Sequence, residues 1–363
     1  MGKIPPPYMG PAVATKIILD SSLKNHFQLI HQDTRLNREI SEIGSWNWRK
    51  PFRQSAILAG LMWKIICFQP QLVWIPISQS TSGFIKDSFY ILMSRLLGRR
   101  VLVHLRGSNF RNWLSQSPEW VNRYVRFFLR RCVGVIVLGE CLRYLFEGFF
   151  KPESIFVVPN GADYILPPRL SRDESIVRIL YLANLMASKG IGDVIEAVKI
   201  LKKKGLSEFH LDVVGDWVEA NLEAKLMNSV LSNNLPISFH EKTLGKKKFQ
   251  FFVDADIFVF PPREPEGHPW VIVEAMAAGL PIITTDQGAI CESVVDNENG
   301  LIVQTKKPKQ IANALELLLE DKSLRERLAN KGLEKYRLHF TENAMVSRFA
   351  GLLQTVCENH EPR

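Results

Sequence analysis

The sequence predicts an α/β protein with two parallel-sheet domains, and three observations carry that prediction. Short apolar runs without strict alternation recur along the chain, as strands covered on both faces do. Helix-length stretches separate them, the βαβ order that builds a parallel sheet. A Pro- and Ser-containing stretch, LPPRLSRDES (166–175), divides the series, and 363 residues suffice for two domains of ordinary size.

The first series holds the apolar runs FQLIHQ (27–32), LVWIPI (72–77), VLVHL (101–105) and VGVIVL (133–138). Helices are predicted around 52–68, 83–97, 119–131 and 139–148. The second series holds VRILYLA (177–183), FHLDVVG (209–215), ISF (237–239), DIFVF (256–260), LPIITT (280–285) and LIVQ (301–304). A last helix begins near residue 341 and ends in a frayed polar tail. The domains are thus expected at 1–165 and 166–340, with 341–363 as a separate C-terminal helix. Only MGKI precedes the first loop, so the expectation is either a true start upstream or an N-terminal domain whose first strand is cut to a stub. A doubly wound sheet holds that strand near its centre, and its loss would expose strand edges.

Composition narrows the function classes. Hydrophobic residues make up 46% of the chain, yet no apolar run reaches the ~18 residues of a membrane span. The N-terminus shows no apolar signal-peptide region. Five scattered cysteines without a C-x2-C pair argue for reduced thiols, a cytoplasmic setting and no structural zinc. The net charge of +9 is lopsided: residues 1–165 carry 21 Lys and Arg against 10 Asp and Glu, and the remainder 25 against 27. In the first half the basic residues interleave with apolar ones, at NWRKPFRQ (47–54), RLLGRR (95–100), RYVRFFLRRC (123–132) and LRYLFEGFFK (142–151). Such stretches suit peripheral association with an anionic membrane, on the inner face of the cell membrane. No nucleic-acid motif accompanies them, and the Lys runs at 202–204 and 246–248 read as solvated helix faces.

The chemistry concentrates in PPREPEGHPWVIVEAMAAGLPII (261–283). An apolar strand breaks at Pro261-Pro262, and a polar loop carries Glu266 and Gly267 towards a helix starting near Pro269. Proline suits a first helical turn. A helix beginning at the loop directs N–H groups and the positive dipole end into it, which suits phosphate. Glu274 is the eighth residue after Glu266, with roughly 7.5 Å of axial rise over the helical part of that interval. Set among VIV and AMA, it needs a hydrogen-bonding partner.

This segment, continuing through GLPIITTDQGAICESVVDNENGLIV (279–303), resembles the donor-binding segment of the retaining glycosyltransferases of family 4, the group 1 transferases, with their E-x7-E pattern. The resemblance implies the GT-B fold, two Rossmann-like parallel-sheet domains facing a cleft, with a last helix that crosses back to the N-terminal domain. It implies that Glu266 faces the transferred sugar and Glu274 binds the nucleotide ribose, with Gly267, His268, Pro269 and Trp270 around the donor. In NLMASKGIGDVIEAV (184–198), Lys189 fits the lysine that neutralises the leaving diphosphate. Asn184 stands where the family has arginine, and a neutral amide lacks the charge and fork of guanidinium. Arg263, from the opposite loop, is a candidate substitute.

VPNGAD (158–163) resembles the family's domain-junction segment, and PPPYMGPAVATKIILDSSL (5–23) its first loop and helix, with Gly10 as the loop glycine. VLVHLRGSNFRNW (101–113) ends a strand at the sheet edge where α/β folds bind ligands. The family often has a histidine directly before this glycine (Gly107), in contact with the transferred sugar or the acceptor side; Arg106 holds that place here and His104 matches the earlier histidine of an H-x-H-G variant, so both are candidate catalytic residues, with Asn109 in the acceptor-side loop. Asp254-Ala255-Asp256 mimics a metal-binding pair, but it leads straight into a strand and is read as structural; no metal or other cofactor is expected.

The function expected from this reading is a retaining, metal-independent transferase. It moves sugar from a UDP- or GDP-linked donor to a glycan or lipid-linked acceptor in surface polysaccharide biosynthesis. The alternatives are a catalytically weak or inactive nucleotide-sugar-binding subunit and a soluble transferase acting on a small sugar phosphate.

Overall fold

The computed structural model describes residues 1–6, 10–35, 49–171 and 175–358. The start of the basic stretch 47–54, the middle of the 166–175 linker and the end of the polar tail lie outside them. The chain forms two compact units, the first comprising Met1–Ala162 with Glu342–Arg363 and the second Asp163–Thr341. The division falls three residues before the boundary expected at 165, because Tyr164 already packs on Phe249 and Tyr336 of the second unit.

Unit 1 runs α1 (Gly10–Asp20), α2 (Arg49–Phe68), β1 (Leu72–Ile77), α3 (Thr81–Leu96), β2 (Arg100–Leu105), α4 (Phe110–Ser115), α5 (Glu119–Leu129), β3 (Gly134–Val137) and β4 (Ile155–Val157). The four strands pair in parallel in the order β1-β2-β3-β4. β2 is apolar on both sides because helices cover both its faces, whereas β1 alternates between buried and half-buried residues. Gly98, at φ +74, ends α3 in the left-handed conformation that glycine adopts without strain.

Two expectations need correction here. FQLIHQ (27–32) forms no strand: the segment is irregular, with a single bridge from Asp33 to Gly2. The stretch 139–148 is not an α-helix but a 3₁₀ turn over Glu140–Phe146. Beside β1, the Met1 ammonium donates to the Trp74 carbonyl at 2.7 Å, and burial lowers its pKa to about 5.

Unit 2 runs β5 (Val177–Leu182), α6 (Ile191–Lys203), β6 (Phe209–Val214), α7 (Ala220–Ser232), β7 (Ile237–His240), α8 (Gly245–Asp254), β8 (Ile257–Phe260), α9 (Trp270–Ala277), β9 (Ile282–Thr284), α10 (Ile290–Ser293), β10 (Gly300–Ile302), α11 (Pro308–Glu320) and α12 (Lys322–His339). All six strands are parallel, in the order β10-β9-β8-β5-β6-β7. After β5 the chain winds outward through β6 and β7, then returns to place β8 on the other side of β5. That reversal creates a switch point at the carboxyl ends of β5 and β8, where open α/β sheets bind ligands. The core is one cluster that includes Tyr181, Phe252, Phe258 and Met276.

The last helix, α13 (Glu342–Glu358), belongs to unit 1. Its apolar side (Met345, Val346, Phe349, Leu352, Leu353) packs with Ile18, Leu23, Leu102 and Ile136. At the start of unit 2, the carboxylates of the D-x-D sequence hold the incoming segment. Asp254 accepts from the Leu170 amide at 3.0 Å, and Asp256 accepts from Arg169 at 2.5 Å and from the Arg178 amide at 2.8 Å.

Candidate active site

Two loops converge at the switch point of unit 2. The first follows β5, with Asn184 exposed in it, makes a 3₁₀ turn at Ala187–Lys189 and enters α6 through Gly190. Gly190 has φ +80, and a Cβ there would stand 2.0 Å from the Pro261 carbonyl oxygen. Only glycine lets the start of α6 lie this close to the Pro-Pro break after β8. The Tyr181 hydroxyl donates to the Lys189 carbonyl at 3.0 Å, fixing the turn from inside the sheet. Burial raises that phenol's pKa well above its usual value, with the negative charges of Glu266 and Asp193 adding to the effect.

The second loop follows β8. Thr285 donates to the Pro262 carbonyl and Thr284 to that of Phe260, both at 2.7 Å. Ala289 donates its amide to the carbonyls of Glu266 and Gly267. Gly288, at φ +65, lies so close to this loop that a Cβ would stand 1.6 Å from the Glu266 oxygen. The backbone that presents Glu266 is thus held from below by the β9–α10 turn. Pro269 is the cap residue of α9 rather than its first helical residue, with extended backbone at φ −67 and ψ 126.

The structure brings Lys189 and Glu266 together: the ammonium donates to the carboxylate, and both side chains remain partly exposed. Arg263 sits beside them but is engaged. Its Nε and Nη2 donate to the two oxygens of Asp193 at 2.7 Å each, and this pairing raises its pKa. Its guanidinium ties the β8 loop to α6. Gly267 is buried and Trp270 half-buried. The His268 imidazole points into the unit, bonded to Ser293 at 2.7 Å and packed on Phe340. What His268 offers the loop is backbone.

Glu274 lies further along α9 and is 6% exposed. Its Oε1 accepts from Lys248 at 2.5 Å, while Oε2 and the neighbouring Tyr164 hydroxyl are buried without a hydrogen-bond partner. Burial pushes the Tyr164 phenol well above its ordinary pKa, and the Glu274 charge adds to the shift. The Lys run 246–248 reads from sequence as a solvated face, but α8 turns Lys248 inward, with side-chain exposure of 19%. Its neighbours Lys246 and Lys247 are exposed, as expected.

The unit 1 candidates lie apart from this cluster in sequence and in kind. His104 is 1% exposed on β2, stacked on Trp74 at 5.4 Å and edge-on to Phe349. Both ring nitrogens lack partners, and burial followed by the Arg106 charge holds its pKa well below 6.5. The ring thus packs between Trp74 and Phe349 within unit 1. Arg106 lines a cavity of about 350 Å³ with Met1, Lys64 and Trp74, and burial lowers its pKa to about 10. Asn109 caps α4, receives a hydrogen bond from Asn112 and donates its amide to Gln79, while Gly10 opens α1 on the surface.

Residues 167–335 match the family of glycosyl transferases group 1, a span that lies within unit 2. The chain is 28% identical over 183 residues to a capsular polysaccharide biosynthesis glycosyltransferase of Staphylococcus aureus, covering 50% of this chain and 47% of the relative. It is also 28% identical over 181 residues to the N,N'-diacetylbacillosaminyl-diphospho-undecaprenol alpha-1,3-N-acetylgalactosaminyltransferase of Campylobacter jejuni, covering 50% and 45%. The chain thus spans about half the length of the curated relatives it matches. Among solved structures, Anabaena HepE in complex with UDP and glucose superposes with a TM-score of 0.69 at 16% identity, over 86% of this chain and 84% of that one. At that identity the likeness speaks for the fold alone: the two parallel-sheet units are those of the GT-B fold.

Proposed function

We propose that this protein is a retaining, metal-independent glycosyltransferase, moving sugar from a UDP- or GDP-linked donor to a glycan or lipid-linked acceptor in surface polysaccharide biosynthesis. The observation that carries the reading is the ion pair between Lys189 and Glu266 at the switch point of unit 2. The group 1 match over the same unit supports it, as do relatives named for capsular polysaccharide and for an undecaprenol-diphosphate sugar acceptor.

In this reading the donor diphosphate lies against the starts of α6 and α9. Lys189 turns from Glu266 to the departing diphosphate and neutralises the charge that develops there, while Glu266 accepts hydrogen bonds from the sugar hydroxyls. An ammonium and helix ends meet that charge, so the step as drawn uses no metal bridge. Glu274 takes the ribose through Oε2, whose buried lone pairs have no protein partner. No nucleophile–base pair is called for: the sugar's bond to the diphosphate breaks, the acceptor hydroxyl bonds to the same carbon on the face the diphosphate leaves, through an oxocarbenium-like state, and the hydroxyl proton passes to the departing diphosphate oxygen. The acceptor side is assigned to unit 1, with the protein peripheral on an anionic membrane.

One observation favours a second reading, a nucleotide-sugar-binding subunit without turnover. Asn184 is neutral, and the guanidinium of Arg263 is paired with Asp193. Thermal shift with a panel of UDP-, GDP- and ADP-sugars, on wild type and Glu274→Ala, tests donor binding. Slow release of free nucleoside diphosphate from the stabilising donor distinguishes the transferase from the subunit.

A further inference from the structure

Among the described residues, the packing of unit 1 leaves one surface unfinished. Every exposed Phe and Trp among the described residues falls within one stretch of chain: Phe52, Trp63, Phe68, Phe89, Trp120 and Phe127. They sit on α2, α3 and α5, which lie side by side. Tyr90 of α3 donates to Gln54 of α2 at 3.0 Å, and Ser88 of α3 meets Tyr124 of α5 at 2.6 Å. Exposed large hydrophobics of unit 2 are aliphatic and scattered, which is ordinary for a protein surface.

α2 shows the imbalance most plainly. Ile57, Leu61 and Ile65 face the core, yet the opposite side presents Phe52, Met62, Trp63 and Ile66 rather than charge. A helix apolar on both sides needs cover on both. α3 adds Leu92 and Leu96 to the same outward layer. No helix of the described residues is long and apolar enough to cross a membrane.

Charge identifies the cover. Residues 49–131 hold fourteen Lys and Arg and only two acidic residues, Asp87 and Glu119. Asp87 is buried against Lys86, and Glu119 is paired with Arg123. The exposed cations lie beside apolar side chains: Arg95 next to Leu96, and Arg123, Arg126 and Arg130 around Phe127, with the Arg131 guanidinium 3.4 Å above the Phe127 ring. A second protein chain would require a matching acidic, apolar partner. Anionic lipid supplies both halves at once, phosphate for the arginines and the upper acyl region for Trp and Phe.

We propose that the outward faces of α2, α3 and α5 are the surface on which unit 1 lies in an anionic bilayer interface, an inference that rests on the membrane-held acceptor of the preceding section. Co-sedimentation of the full chain with phosphatidylcholine vesicles, with and without phosphatidylglycerol, tests it. Binding is expected only with phosphatidylglycerol, weakened by salt, and reduced on the order of tenfold or more by Trp63→Ala with Phe89→Ala. Circular dichroism and donor thermal shift check that this variant folds. Should it not, Arg123→Glu with Arg130→Glu, both on the exposed side of α5, is expected to abolish the lipid-charge dependence. Absence of partition, or partition indifferent to these substitutions, overturns the proposal. So does a wild-type dimer that dissolves in the Trp63 and Phe89 variant without lipid binding, which would make the face a contact between copies. Because donor thermal shift needs no vesicle, failure of the lipid surface is separable from failure of the transferase reading.

Discussion

Lys189 and Glu266 are 77 positions apart in the chain, yet the ammonium of one donates to the carboxylate of the other. The pair forms because β5 and β8 are neighbours at the sheet's switch point and each sends its following loop over the same edge. Two glycines make the approach possible, Gly190 against Pro261 and Gly288 against Glu266.

Gly288→Ala places a methyl against the Glu266 backbone and forces φ +65 on a residue with a Cβ. Backbone strain alone costs on the order of 1–3 kcal/mol. The expected result is a lower melting temperature together with weaker donor binding, measured by thermal shift with and without the donor. An equal loss of stability with unchanged donor binding would mean that the β9–α10 turn does not position the loop.

Arg263 is paired through Nε and Nη2 to Asp193, whose side chain is only 7% exposed. Removing the arginine leaves that carboxylate buried and alone, so Arg263→Ala is expected to destabilise by about 3 kcal/mol. Adding Asp193→Ala should recover much of the loss. Denaturant melts of the two single variants and the double variant read this directly. If Arg263 instead served the diphosphate, the single variant would lose donor turnover with its stability intact.

Lys248 is the cation that holds Glu274. Lys248→Ala is expected to weaken nucleotide binding by roughly tenfold, as loss of a charge-assisted hydrogen bond does, and Lys248→Arg to restore part of it. Isothermal titration with the free nucleoside diphosphate checks both. Unchanged affinity in Lys248→Ala would remove Glu274 from the nucleotide end.

The His104 imidazole is buried neutral, with its pKa well below 6.5. In the unfolded chain the ring regains its ordinary pKa and binds more protons, so stability rises with pH in this window and is lost as pH falls below about 6.5. His104→Phe removes one such group and two unpaired ring nitrogens. It is expected to raise the melting temperature and to flatten the acid limb of the stability profile. The limb should not vanish, because His31 and His210 are also lowered by burial.

The strands of unit 2 were legible in the sequence because each is a short apolar run ended by turn chemistry, and the Pro-Pro break after β8 marked the site loop. Lys189, Glu266 and Glu274 could be named from their spacing and the resemblance to the group 1 family. What one sequence did not carry was the direction of individual side chains. Lys246 to Lys248 are alike in sequence, but the helical rotation of α8 turns only the last onto Glu274. His104 sits where a ligand-binding edge was expected, but the ring stacks on Trp74 and meets Phe349 of α13, a contact 245 positions away in the chain. FQLIHQ has the composition of a strand, and it lacks a partner strand among the described residues, which composition cannot reveal.

The measurement that bears most directly on the account is release of free nucleoside diphosphate from a stabilising donor, without added acceptor, by wild type, Lys189→Ala and Glu266→Gln. Slow release is expected from wild type and a loss of roughly 10²–10³-fold in both variants, with donor binding largely retained in Glu266→Gln. Release at the wild-type rate in Lys189→Ala, with the donor still bound, would contradict the central claim that this ammonium takes the charge of the leaving diphosphate.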